Sequence, residues 1–321
     1  MADPAATVLA LSGGVGGAKL CLGLADVLAP ADLHVLVNTA DDFEHLGLRI
    51  SPDIDTLLYT LAGRANVEQG WGLEGETWQT MDALAQLGGD TWFRLGDRDM
   101  ATHLWRTCEL AAGRGLSEVT ADLADRMGGA VQVHPMSDDT VRTVVHCSEG
   151  ELPFQHYFVR RRCAPSVTSF SFEGISAARP NRNAIRLLQG DEVALVVICP
   201  SNPYVSIDPI LQVPGLWLAL RDHPAPVILV SPIVAGAALK GPAAKMMAEL
   251  GVPATALGIA QHYRARYPGL VDHFVVDESD ATLAAEIGEL GYEVAVAPTV
   301  MTSREDKQRL ARFTLELGVT A

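Results

Sequence analysis

Residues 11–19 read Leu-Ser-Gly-Gly-Val-Gly-Gly-Ala-Lys, directly after the apolar run 7–11 and before the helical-looking 20–28. A strand, a glycine-rich turn and a helix start, in that order, form a layout suited to phosphate. Glycines let the backbone approach the anion, free N–H groups donate to it, and the helix dipole favours negative charge there. Ser12, Gly13, Gly14, Gly16 and Gly17 are the candidate donors. Their spacing is neither the GxGxxG of dinucleotide binders nor the phosphate loop that ends in Gly-Lys-Ser/Thr. The same residues also fit a tight strand–helix turn without a ligand.

Carboxylates crowd two nearby stretches, Asn38-Thr39-Ala40-Asp41-Asp42 and Ser51-Pro52-Asp53-Ile54-Asp55-Thr56. The first follows a strand, and open α/β sheets bind ligands at the carboxyl ends of their strands. Several carboxylates converging near a phosphate are oxygen ligands of the kind magnesium takes. Asp41, Asp42, Asp53 and Asp55 are therefore candidate metal or substrate ligands. Taken singly, Asp53 and Asp55 also suit a helix N-terminus, and Ser51 suits a cap. Arg94 and Arg98 flank Asp97 and Asp99, either as a phosphate clamp or as a solvated salt-bridge cluster. His103 shows no recognisable partner and reads as structural. Pro135-Met136-Ser137-Asp138-Asp139, Pro200-Ser201-Asn202-Pro203 and Ser231-Pro232-Ile233 follow further strands and suit nucleotide recognition or simple Asx and ST turns. Lys240 is a candidate phosphate contact or a plain surface lysine.

The elements that must position these groups follow from hydrophobic patterning. Apolar runs at 7–11, 33–37, 193–199, 227–230, 274–276 and 294–297 alternate in their later part with helical patterns at 243–250 and 281–290. Continuous apolar strands between helices predict a doubly wound, Rossmann-like, mainly parallel sheet covered on both faces. Residues 52–129 lack strand patterning and predict a helical insertion, so the nucleotide-binding core comprises 1–51 and 130–321. A β-hairpin excursion turns at Ser148-Glu149-Gly150.

Composition narrows the function. The chain has 321 residues, 48% hydrophobic and 20% charged, and its net charge is −15. Such a surface repels nucleic acid and acidic membrane. No apolar run approaches the roughly 20 residues of a membrane span. The start lacks the basic region of a secretory signal, so a cytoplasmic location is expected. Five cysteines without a C-x-x-C pair read as reduced core residues. The histidines lack zinc spacing, and no G-x-S-x-G elbow is present.

Taken in order, these motifs resemble the 2-phospho-L-lactate transferase family of deazaflavin coenzyme F-420 biosynthesis. The likeness rests on Ser12–Lys19, 37–42, 51–56, Leu95-Gly96-Asp97-Arg98-Asp99-Met100-Ala101-Thr102-His103, 135–139, Phe154-Gln155, 200–203, 231–233 and Val300-Met301-Thr302. It runs over nearly the whole chain. The resemblance implies a magnesium-dependent transfer of a phospho-hydroxy-acid moiety. The donor would be guanosine diphosphate-linked, such as lactyl-2-diphospho-5'-guanosine, and the acceptor the terminal ribityl hydroxyl of the deazaflavin Fo, with release of GMP. It further implies acceptor contacts at Asp55 and Arg94, and magnesium at Asp55 with Asp41, Asp42 or Asp53. Catalysis falls to Asp55 and Asp42, and the guanosine diphosphate to the 12–17 loop with Ser201, Asn202 and Pro203. A homodimer is expected. The family reads Ser-Ile-Gly-Pro-Ile where this chain has Ser206-Ile207-Asp208-Pro209-Ile210, a carboxylate beside the expected nucleotide loop. Donors derived from lactate, phosphoenolpyruvate and glycerate therefore stay open. The alternative is a nucleotide-sugar-binding regulator of the gluconeogenesis-factor type without turnover. The 51–56 and 96–99 motifs favour the transferase.

Overall fold

The computed structural model describes residues 7–66, 68–238 and 241–319. The chain opens with β1 (Thr7–Ser12), α1 (Gly14–Val27) and β2 (Leu33–Val37). A hairpin of β3 (Phe43–His45) and β4 (Leu48–Ile50) then leads into α2 (Pro52–Leu61). Helices α3 (Gln79–Gln86), α4 (Asp97–Ala111) and α5 (Leu116–Arg126) follow, then β5 (Gln132–Pro135). Strands β6 (Arg142–Cys147), β7 (Gly150–Pro153) and β8 (Val167–Glu173) form an antiparallel sheet in the order β7-β6-β8.

Alternation resumes with α6 (Arg182–Gln189), β9 (Val193–Ile198), α7 (Asp208–Gln212), α8 (Leu216–Asp222) and β10 (Val227–Val230). A two-residue pair, β11 (Ile233–Val234) and β12 (Ala237–Ala238), precedes α9 (Ala243–Glu249) and α10 (Ala256–Arg266). The chain closes with β13 (His273–Asp277), α11 (Ala284–Glu289), β14 (Glu293–Ala297) and α12 (Arg304–Val319).

Seven strands pair in parallel in the order β14-β13-β10-β9-β1-β2-β5. Successive side chains on a strand point to opposite faces, and both faces here are apolar. Leu9 and Leu11 of β1 enter one core with α6 to α11 and the small antiparallel sheet. Val8 and Ala10 enter the other with α1, α2, α5 and α12. Burial on both faces explains why the strands read as continuous apolar runs, and it gives the doubly wound Rossmann-like fold that the patterning predicts. The strand order reverses direction between β1 and β9. Loops leaving those two strands diverge there, which opens the crevice such folds use for ligands.

Residues 52–129 are helical, and among the described residues their sole β contact is an isolated Ala65–Leu73 bridge. Helices α2 and α5 are nonetheless part of the layer covering the sheet, because Ile54, Leu57, Leu58, Val119 and Leu123 share the core of α1. The portion standing off from that layer is α3 with the start of α4. It closes a small apolar cluster of Met81 and Leu95 over Leu48 and Ile50 of β4. The predicted hairpin at 148–150 is present. Its second strand ends at Pro153, however, and the chain passes into a π-helical turn (His156–Arg160), while β8 supplies a third strand. Cys21 and Cys199 lie 3.8 Å apart as free buried thiols.

Candidate active site

At the switch point the glycine-rich loop and the loop after β9 are packed together. Gly13 N–H donates to Ser201 Oγ at 3.1 Å. A Cβ on Gly16 would collide with the Pro200 carbonyl, and one on Gly17 with the hydroxyls of Ser12 and Ser201. Gly14 has φ +65°, which β-carbon-bearing residues avoid. These glycines thus have a structural reason in the close approach of two backbones. The first N–H of α1 is already engaged, since Gly14 donates to Asp53 Oδ1 at 2.8 Å. Asn202 caps the π-helical turn Pro203–Ile207 by accepting from Tyr204 N–H, and Pro203 is buried. Ser12 is buried at the strand end.

Beside this loop the structure gathers Asp41, Asp42 and Asp53, all buried. Asn38, fully buried, donates to Asp53 Oδ2 at 3.0 Å and to the Val205 carbonyl at 3.1 Å, which ties β2, α2 and the post-β9 loop into one floor. Thr143 of β6 donates to Asp41 Oδ1 at 3.0 Å, and Ser51 to Asp42 Oδ2 at 2.7 Å. Ser51 precedes α2 but makes no cap bond; its hydroxyl serves Asp42 instead. Burial, with Asp53 as the next cause, holds Asp41 well above the usual carboxylate range. Burial pushes Asp42 to about 7 and also raises Asp53. No ion pair neutralises any of the three among the described residues, and Asp42 Oδ1 has no hydrogen-bond partner.

Among the described residues no three His, Cys, Asp or Glu side chains stand as a ready metal cage. Magnesium does not need one, because it retains waters and takes one or two carboxylates together with phosphate oxygens. Buried acids, with Asp41 raised by Asp53 and Asp42 and with Asp42 Oδ1 left without a partner, are a donor set of the chemistry such a hard cation takes.

Asp55, two residues beyond Asp53, has a different neighbourhood. Its carboxylate forms a two-point pair with Arg106 of α4, through Oδ1 to Nη2 and through Oδ2 to Nη1 at 3.1 Å. Arg106 is fully buried. Burial alone would lower its pKa, but Asp55 outweighs that and raises it. His103 packs between two acids, with Nδ1 3.6 Å from Asp55 and Nε2 3.3 Å from Asp99, so the histidine that read as partnerless has two. Tyr59 donates to Asp99 at 2.6 Å. Burial would raise Asp99, yet His103 and Tyr59 hold it below the usual range. Arg106 and Tyr59 were not legible as site residues. The signal was the helical spacing of Asp99, His103 and Arg106, which puts a carboxylate, an imidazole and a guanidinium on one face of α4. Both oxygens of Asp55 thereby face the Arg106 guanidinium, a setting the other three acids do not share.

The arginine-rich knot is not a salt-bridge cluster, since among the described residues neither Arg94 nor Arg98 pairs with Asp97 or Asp99. Arg94 is exposed and stacks on Trp78, its guanidinium carbon 4.1 Å from the ring centre. Asp97 caps α3 through Gln79 and Thr80 N–H, and Arg98 donates to the Glu74 carbonyl. Asp208, the departure beside the nucleotide loop, is turned away into the protein. Its Oδ1 accepts from His262 at 2.9 Å and Tyr267 at 3.0 Å, and Arg266 lies 3.3 Å from Oδ2. A carboxylate occupied in this way does not project charge at a donor. Lys240 lies outside the described residues.

The model of the 2-phospho-L-lactate transferase CofD family matches residues 8–308. A phosphoenolpyruvate transferase of Streptomyces griseus is 41% identical over 97% of this chain and 98% of its own. A 2-phospho-L-lactate transferase of Methanosarcina acetivorans is 37% identical over 97% of this chain and 98% of its own. Among solved structures, an upf0052-family protein of Bacillus halodurans superposes with a TM-score of 0.65 at 15% identity, over 97% of this chain and 98% of that one, a likeness of fold. No helix of the described residues is long and apolar enough to cross a membrane. With its motifs in register from the first strand to the last helix, the chain belongs to the 2-phospho-L-lactate transferase family and is a transferase of coenzyme F-420 biosynthesis.

Proposed function

We propose that the protein transfers a phospho-hydroxy-acid moiety from a guanosine diphosphate-linked donor to the ribityl hydroxyl of the deazaflavin Fo, releasing GMP. The observation carrying this reading is the set of buried carboxylates Asp41, Asp42 and Asp53 beside the switch point, none in an ion pair among the described residues. Phosphoryl-type transfer needs positioning and charge neutralisation more than a covalent nucleophile. A site that gathers buried carboxylates with no direct ion pair among the described residues suits a metal-linked phosphate substrate.

In this reading the donor's diphosphate lies over the 12–17 loop and the Ser201 loop, where the two backbones meet. Asp41 and Asp53 would hold magnesium, which would supply charge neutralisation for the phosphate oxygens. Asp42, whose Oδ1 has no partner, accepts the proton of the attacking hydroxyl. The hydroxyl oxygen bonds to the phosphorus bearing the hydroxy acid as the bond to GMP breaks. Asp55, held rigid by Arg106, orients the acceptor by accepting a hydrogen bond on a remaining lone pair, and Arg94 with Trp78 offers a flat surface to its ring system. The enolpyruvyl form of the donor is tested first, because the phosphoenolpyruvate transferase of Streptomyces griseus is more similar to this chain than the Methanosarcina acetivorans enzyme is.

The test is incubation with Fo, magnesium and the enolpyruvyl, lactyl or glyceryl donor, with product masses read out. Fo plus a phospho-hydroxy acid, together with GMP, supports the reading. Tight binding of nucleotide sugars with no turnover of any donor replaces it with the regulator.

A further inference from the structure

A cleft of about 190 Å³ lies between the loops after β2 and β5, lined by Asp42, Phe43, Arg49, Ser51, Thr140 and Arg142 among others. Arg142 is half-buried. Its one hydrogen bond goes from Nη1 to the carbonyl of its own neighbour Val141, at 2.7 Å. Neither Arg142 nor Arg49 has an ion-pair partner among the described residues, although acids stand close by. Asp139 takes Arg179 at 2.8 Å, Asp138 takes Ser117 N–H and Oγ, and Asp42 Oδ2 takes Ser51, while Asp42 and Glu44, the cross-strand neighbour of Arg49, attract Arg142 without forming an ion pair. Burial presses the pKa of Arg142 downward; Asp42 opposes this, and Arg49 adds to it by like-charge repulsion. Two guanidiniums that repel each other in one cleft, within a protein of net charge −15, lower their energy when an anion joins them.

We infer that Arg142 and Arg49 form an anion subsite that binds the carboxylate of the donor's hydroxy-acid moiety. This assignment to the donor rests on the transferase reading above. Size favours the carboxylate end, since sites for drug-sized ligands run roughly 300–1,000 Å³ and this cleft holds a three-carbon acid rather than a tricyclic chromophore. Position favours it too. Asp42 belongs both to the cleft and to the acidic group beside the switch point, so a donor with its diphosphate over α1 and its phosphorus near Asp42 extends its acid end toward Arg142. A planar carboxylate matches the two-point geometry of a guanidinium. The subsite would select donors that carry a free carboxylate.

Isothermal titration calorimetry with three small probes tests this: 2-phospholactate, ethyl phosphate, which lacks the carboxylate, and lactate, which lacks the phosphate. The parent is expected to bind 2-phospholactate at least about tenfold more tightly than ethyl phosphate, the size of one charge-assisted pair. Arg142→Gln and the double variant R49Q/R142Q should abolish that preference. Arg142→Lys should keep part of it, because an ammonium lacks the fork. Melting temperature serves as the folding control, and Arg142→Gln should leave it unchanged, since the side chain has no ion pair to lose. Equal binding of ethyl phosphate and 2-phospholactate, with both lost in the double variant, would reassign the pair to phosphate and overturn the carboxylate subsite. So would an unchanged preference in the variants, or no binding by the parent. If the parent makes no product with Fo but its carboxylate preference still depends on the arginines, the transferase reading fails and the anion subsite stands.

Discussion

Asp53 and Asp55 lie two residues apart on α2 and both are buried, yet their surroundings are opposite. On one side Asp55 joins Arg106, His103, Asp99 and Tyr59 in a network where acids meet cations or hydroxyl donors. On the other, Asp53 accepts from Gly14 and Asn38 and lies near Asp41, and neither acid has an ion pair among the described residues. The first arrangement balances its acids against a guanidinium within the protein, although His103 Nε2 and Arg106 Nε make no hydrogen bond. The second keeps an electrostatic cost that a bound cation would relieve. The comparison separates two uses of buried carboxylates, one fixing the approach of α4 to α2 and one prepared for ligands.

The largest expected effect breaks the balanced side. Arg106→Ala leaves Asp55 buried and unpaired, which should cost ~3–5 kcal/mol of stability, read as a lower midpoint in urea unfolding. A midpoint within error of the parent would show that Asp55 is reached by water and that the network is not structural.

Asp55→Asn comes next. It keeps the size but leaves the Arg106 guanidinium without its counter-charge, so both stability and turnover fall. A loss of about 2–3 kcal/mol is expected in the same unfolding measurement. Turnover with Fo should drop by roughly a hundredfold or more if Asp55 positions the acceptor. Full turnover at reduced stability would leave Asp55 a purely structural partner.

Ser51→Ala removes the hydroxyl that donates to Asp42 and should cost about 1 kcal/mol, a typical net value for one buried hydrogen bond. A loss as large as that of Arg106→Ala would mean that Ser51 belongs to the balanced network instead.

The smallest stability effect, and the one of opposite tendency, is expected from Asp41→Asn. This removes one of several like charges while the Thr143 hydroxyl still finds an oxygen to donate to. Thermal stability should hold or rise by up to ~1 kcal/mol, while turnover falls by roughly a hundredfold. A marked loss of stability in metal-free buffer would erase the difference between the two sides of α2.

Much of the fold was legible because its signals are local. Apolar strands long enough to be buried on both faces, the helical patterns at 243–250 and 281–290, and the helices within 52–129 follow from patterning that neighbouring residues impose on each other. The β3–β4 hairpin, β8 and the π-helical turn at His156–Arg160 were not legible, since short or irregular segments owe their shape to what they pack against. The same division runs through the site. The acids at 41, 42, 53 and 55 stood out by composition and by position at element ends, and three of them do converge. Arg106 and Arg142 carried no such mark, as single arginines within a helix and a strand.

The sequence by itself determined the doubly wound sheet, the glycine-rich first turn and the concentration of acids near it, because strand burial, backbone freedom and charge are written residue by residue. Only the tertiary structure decided which carboxylates meet a cation. That choice depends on α4 crossing α2 to bring Arg106 onto Asp55, and on β2 and α2 bringing Asp41 near Asp53 with no ion pair among the described residues. It also decided that Asp208 turns inward to His262 and Tyr267. Interactions between residues dozens of positions apart arise from packing, and a carboxylate's role follows from the charge it faces there.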